Sequence, residues 1–144
     1  IGQCFSQNQF ENLNKIQCLY LYYNRSLKDI SSLVQVSKTL KALRIESCAK
    51  IEDLSVLEKL DNLELLQLAG NNELPNLNFL KGMKKLKTFD FNMNVLDGNL
   101  SLCKKISCVY SEVDRKHYNL KDEDLPKGHY CRGNEDIEEW RRLE

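Results

Sequence analysis

The sequence predicts an α/β chain built as a repeat solenoid, with about five short parallel strands, short helical turns behind them and an irregular C-terminal cover. Three observations predict it. A similar stretch restarts at Ile16, Leu40, Leu63 and Leu86, at separations of 24, 23 and 23 residues. Each restart carries apolar residues first at a spacing of two and then at a spacing of three, the marks of a strand followed by a helical turn. A unit of 23 residues is too short to bury its apolar face alone, so neighbours stack around a shared core and both ends need covers.

Residues 1–15 read as the first cover, a partial unit in which Phe10 and Leu13 repeat the spacing of Leu57 and Leu60. The repeats occupy 16–112. Within them Leu19/Leu21, Leu43/Ile45, Leu66/Leu68 and Phe89/Phe91 alternate, so each pair faces one side of a short strand. Ile106 opens a degenerate fifth unit. Three residues after each pair stands Asn24, Cys48, Asn71 or Asn94, a small polar side chain able to turn inward and satisfy backbone groups as the chain leaves the strand. Asp29-Ile30, Asp53-Leu54 and Asn76-Leu77 come next, the Asp or Asn suited to cap a helical turn that buries Leu33/Val36, Leu57/Leu60 or Leu80/Met83. Asp97-Gly98 predicts a turn that shortens the fourth return leg. Past Val109 the period fails, and 113–144 reads as the second cover, ending in a capped amphipathic helix on Asn134, Ile137 and Trp140.

The cleanest copy, Leu63-Glu64-Leu65-Leu66-Gln67-Leu68-Ala69-Gly70-Asn71, resembles the leucine-rich repeat core L-x-x-L-x-L-x-x-N/C-x-L, and the likeness runs from about Phe10 to Tyr110. One departure is regular. Leu27, Ile51 and Leu74 stand three positions after the Asn or Cys where the motif has two, while Asn94-Val95-Leu96 keeps the motif spacing. The resemblance implies a curved, right-handed solenoid, with strands on the concave face and helical turns on the convex side. It also implies a family used for binding proteins. The Asp-Gly turn, the strand ending Val109-Tyr110, and His117-Tyr118-Asn119 with Asp124-Leu125-Pro126-Lys127 look like the endings of small bacterial leucine-rich repeat proteins. That likeness makes neutralisation of a cognate toxin one implied role.

At 144 residues the chain fits one domain, and 42% hydrophobic with 29% charged residues is ordinary for a globular protein. A formal charge of zero offers no strong attraction to phosphate backbones or anionic membranes, so no nucleic-acid partner is expected. No apolar run nears the roughly 18 residues of a membrane span, and no membrane insertion is expected. The opening IGQCFSQNQF lacks the basic start and apolar centre of a signal peptide. Ile1 in place of Met reads as a trimmed start, and Leu143-Glu144 as an appended pair. Cytoplasmic residence is the expectation; a secreted or cell-surface adhesin is the alternative. The six cysteines, at 4, 18, 48, 103, 108 and 131, are expected to be reduced, because Cys18, Cys48 and Cys108 fall at regular repeat positions. Oxidised cysteines and the sequons Asn24-Arg25-Ser26 and Asn99-Leu100-Ser101 would suit the adhesin.

If the paired apolar residues point inward, their neighbours point out, and the columns can be read directly. Tyr20, Arg44, Gln67, Asp90 and Tyr110 lie between the pairs; Tyr22, Glu46, Ala69, Asn92 and Glu112 come just after them; Cys18, Ala42, Leu65, Thr88 and Cys108 precede them. The expected protein-binding residues are Tyr20, Tyr22, Arg44, Glu46, Gln67, Asp90, Asn92 and Tyr110, tyrosines at the ends around a polar centre of mixed sign. A plain solvated sheet is the competing account. A cysteine nucleophile would need Cys103 or Cys108 near His117, or Cys131 near His129, and no spacing brings either pair together. The same residues match no familiar zinc pattern, so no catalysis, no metal and no cofactor are expected. Lys81, Lys84, Lys85, Lys87, Lys104 and Lys105 read as a solvated edge. A monomer is expected over an obligate oligomer, although an open strand edge beneath a weak cap would permit self-pairing.

Overall fold

A computed structural model of the chain describes residues 15–128. Five strands, β1 (Cys18–Tyr22), β2 (Ala42–Glu46), β3 (Leu65–Ala69), β5 (Thr88–Phe91) and β7 (Cys108–Ser111), form one parallel sheet in the order β1-β2-β3-β5-β7. Two short strands, β4 (Glu73–Leu74) and β6 (Asn94–Val95), pair separately. The sheet register matches the sequence columns: Tyr20 lies beside Arg44, Arg44 beside Gln67, Gln67 beside Asp90 and Asp90 beside Tyr110.

The apolar pairs are buried on one face, with Leu43, Leu66, Leu68 and Phe89 fully enclosed. Behind them run 3-10 turns at Ser31–Val36, Ser55–Lys59, Asn78–Lys81 and Ser101–Lys105. Return legs this brief close a tight turn but leave no room for α-helices. Leu33, Val36, Leu57, Leu60, Leu80 and Met83 join the core from these legs, and Phe89 stacks on Phe91 with centroids 4.8 Å apart. The Asx residues hold the turn entries: Asp29 Oδ1 accepts from Ser31 N at 2.8 Å, Asp53 Oδ1 from Ser55 N at 2.8 Å and Asn76 Oδ1 from Asn78 N at 2.9 Å. These bonds hold the Asp29 and Asp53 carboxyls below the usual carboxylate range. At Gly82 a Cβ would meet Glu58 O at 2.1 Å, so the absence of a side chain sets the approach of neighbouring turns.

The corners differ from one unit to the next. Buried Asn24 turns inward as expected, its Oδ1 accepting from Ser26 N at 3.0 Å and Leu27 N at 2.9 Å. Cys48 is likewise buried at its corner. In the third unit the expectation fails: Asn71 is exposed, and Asn72 reaches back to Ile51 O at 2.9 Å and Cys48 O at 3.3 Å. Tyr23 and Ser47 sit at φ 47° and 54°, whereas the equivalent Gly70 opens to 133°, a path closed to most side chains that moves the inward turn one residue along. In the fourth unit Asn94 belongs to β6, and Val95 is the buried residue, while Leu96, which motif spacing would put inward, is half exposed.

From Val113 the tail docks against the last unit. Tyr118 is buried; its hydroxyl accepts from Val95 N at 3.0 Å and donates to Met93 O at 3.3 Å. Asn119 Oδ1 accepts from Leu100 N at 2.8 Å, and Asn119 N donates to Gly98 O at 3.0 Å. The outer edge of β7, which if open would have permitted self-pairing, is closed. Val109 N donates to Pro126 O, Gly128 N to Ser107 O and Ser111 N to Asp122 Oδ1, while Lys127 Nζ donates to Val109 O. Paired edge groups leave no template for another strand there. The expected partial unit of 1–15, Lys15 excepted, and the terminal helix on Asn134, Ile137 and Trp140 lie outside the described residues.

Candidate functional site

The candidate site is the sheet face turned away from the core, set by the strict alternation of the strands. At the β1 end three aromatic rings gather. Tyr20 and Tyr22 have centroids 5.3 Å apart, Tyr22 and Tyr23 meet edge-on at 4.2 Å, and all three are exposed. Arg44, brought alongside by the register, lies with its guanidinium 4.8 Å from the Tyr20 ring centre and Nη2 3.4 Å from Glu46 Oε2. The Tyr20 hydroxyl donates to the same carboxylate oxygen at 2.6 Å. Partial burial and that bond push the Tyr20 hydroxyl well above its ordinary pKa, so it remains a neutral donor. Tyr20, Tyr22, Tyr23, Arg44 and Glu46 therefore form one ordered patch, with Arg44 Nε buried and unpaired within it.

The centre of the face is a polar ladder across strands. Gln67 Nε2 donates to Asp90 Oδ2 at 3.2 Å, Asn92 Nδ2 to Glu112 Oε2 at 3.2 Å, and Gly70 N to Asn92 Oδ1 at 2.9 Å. Burial, followed by the nearby Glu112 carboxyl, pushes Asp90 up to about 7. Asp90 Oδ1 is buried and has no hydrogen-bond partner. Of the expected contact residues, Tyr20, Tyr22, Arg44 and Glu46 thus assemble at one end, and Asp90 and Asn92 form the centre. Gln67 is buried between them.

At the β7 end, Tyr110 is half-buried beneath Lys127, whose Nζ sits 4.4 Å from the ring centre and 2.7 Å from Asp122 Oδ1. Sequence reading missed Lys127 and Asp122, because they lie in the aperiodic tail and reach the face only through the closed edge of β7. Glu112 stood in the outward column without being singled out, and its coupling to Asp90 becomes visible only with the strands in place.

The cysteine and sequon readings separate in the same way. Cys108 is disulfide-bonded, which corrects the expectation that the thiols are all reduced. Cys48 and Cys103 are free and buried, and burial pushes the Cys103 thiol up to about 12, far from a reactive thiolate. His117 is occupied elsewhere, its Nε2 lying 2.9 Å from Val95 O; His129 and Cys131 lie outside the described residues. Among the described residues, no group of three or more His, Cys, Asp or Glu side chains is placed to hold a metal ion. Asn24 is spent on its corner and buried, so that sequon cannot carry a glycan in this fold, whereas Asn99 is exposed. Two of the edge lysines tie neighbouring units together: Lys85 Nζ donates to Asn62 Oδ1 at 2.6 Å, and Lys87 pairs with Glu64 at 2.7 Å. No helix among the described residues is long and apolar enough to cross a membrane.

No protein-family model matches the chain, and a search of curated proteins finds no significant match to it.

Proposed function

We propose that the chain is a leucine-rich-repeat-like solenoid acting as a non-catalytic module that binds a protein partner on the outward sheet face. Parallel strands in chain order, matched in register and separated by brief 3-10 legs, support the architecture. The observation that carries the binding reading is the patch of Tyr20, Tyr22, Arg44 and Glu46: aromatic area already ordered by stacking, a cation and a hydrogen bond, yet left open to solvent. Preorganised Tyr and Arg side chains are favoured as interface anchors, since little rotamer freedom remains to be lost on binding. The test compares capture by the intact protein with capture by Tyr20→Ala/Arg44→Ala, both side chains pointing away from the core. A partner held by the intact protein and lost from the double variant supports the reading; equal capture by both overturns it.

Cytoplasmic residence, the expectation from the sequence, now competes with a secreted or surface-attached location. One observation favours the second, the Cys108 disulfide, because such bonds persist in oxidising compartments. Thiol counting on denatured, unreduced protein from its native source decides between them: six free thiols would remove the secreted reading.

A further inference from the structure

The gaps between successive units behind the main sheet are not alike. Between the third and fourth units β4 pairs with β6, and Leu74 O accepts from Leu96 N at 2.8 Å. The other edge of β4, turned toward the second unit, has no strand beside it. Among the described residues no backbone hydrogen bond joins 73–75 to 51–54, and the Asn72 side chain spans the gap instead, to Cys48 O and Ile51 O. Because Leu74 is spent on β6, strand alternation turns the Glu73 amide and carbonyl to this open edge. What remains between the units is a groove of about 250 Å³, floored by Leu54, Leu74, Pro75 and Phe79, with Leu54 and Pro75 keeping open surface. Glu52, Asp53, Glu58 and Glu73 stand around it, and no Lys, Arg or His lines it.

We propose that this groove docks an extended basic segment of a protein partner, with one apolar side chain on the floor and arginine or lysine side chains against the four carboxylates. Charge complementarity names that occupant. The Asp53 carboxyl is held below the usual range by its bonds to Ser55, and Glu52, Glu58 and Glu73 form no ion pair among the described residues. Lys28 and Lys50 approach Glu52 and Asp53 from the adjoining gap between the first and second units without pairing with them, so the rim keeps its negative charge. The volume falls below the roughly 300–1,000 Å³ of a small-molecule pocket and suits one apolar side chain with the backbone that carries it. An extended backbone laid along β4 finds the Glu73 amide and carbonyl to bond, the mode by which peptides add to a sheet edge. None of the lining residues belongs to the five-stranded sheet, so the groove is a second surface, independent of the tyrosine patch.

The test is an amide NMR titration of the full, nitrogen-15-labelled chain with a capped pentapeptide carrying one leucine between two pairs of arginines. Shifts should saturate at the amides of 52–58 and 73–79, and the same peptide with glutamates in place of its arginines should cause none. Glu52→Gln/Glu73→Gln changes two exposed side chains, leaves the fold intact and should weaken binding about five-fold. No saturable shift, equal shifts with the glutamate peptide, an affinity unchanged in the double variant, or shifts centred on Tyr20 and Tyr22 each overturns the proposal. None of these outcomes decides the Tyr20/Arg44 capture experiment, so the two readings fail separately.

Discussion

Tyr20 and Tyr110 occupy the same column at opposite ends of one sheet, and each carries a cation above its ring. At the β1 end the cation is Arg44 from the adjacent strand, and the ring remains exposed. At the β7 end it is Lys127 from the tail, the same segment that pairs the strand's edge, and the ring is half-buried. Equal positions in a repeat therefore acquire opposite roles according to the segment that comes after them along the chain. One tyrosine is left exposed to solvent; the other is half-buried under the tail that pairs the edge of β7.

The largest expected effect breaks the covered end. Gly98 sits at φ +64°, and a Cβ there would meet His117 O at 2.3 Å. Gly98→Val should therefore cost on the order of 3 kcal/mol in chemical denaturation and expose the tail to protease. Tyr118→Phe removes a hydroxyl used twice in a buried place, leaving Val95 N and Met93 O unpaired, and should cost roughly 1–3 kcal/mol by the same measurement. A variant as stable as wild type would mean that the tail is not held through this contact.

Acid chemistry at the centre of the face gives an intermediate effect. Because the folded pKa of Asp90 is raised, its protonated form favours folding. That contribution is full below the unfolded value near 4 and is lost as pH rises through about 7. Asp90→Asn should flatten the stability profile across this window and gain on the order of 1 kcal/mol at pH 8, after discounting for solvent screening. Asp29 and Asp53 act in the opposite sense, since their lowered pKa values mean stability lost as pH falls below the usual carboxylate range. The open end gives the smallest effect on folding. Tyr20→Phe removes one exposed bond to Glu46 and should move stability by less than about 0.5 kcal/mol in thermal melts. A larger loss would mark the tyrosine patch as scaffold and count against its role in binding.

Much of this was legible from residue spacing. Leu66/Leu68 and Phe89/Phe91 announce their strands, and the outward columns derive from them, because one face of each strand must be buried and a period of two leaves no alternative. Asp29, Asp53 and Asn76 announce the turn entries for an equally local reason, since an Asx side chain bonds backbone two residues on. The corners were legible only where the backbone path repeats. Asn72 replaces Asn71 because Gly70 admits a different φ, a choice the motif does not encode. The closed β7 edge was not legible, because it depends on pairing between an aperiodic tail and a strand well before it in sequence.

The matched register of the sheet has a consequence for editing the gene. Removing residues 63–85, one whole repeat, would set β2 directly beside β5 with every column preserved, and Arg44 would become the neighbour of Asp90. A shortened protein would thereby exchange a glutamine spacer for a cross-strand ion pair, and its surface chemistry could be rewritten by changing length alone.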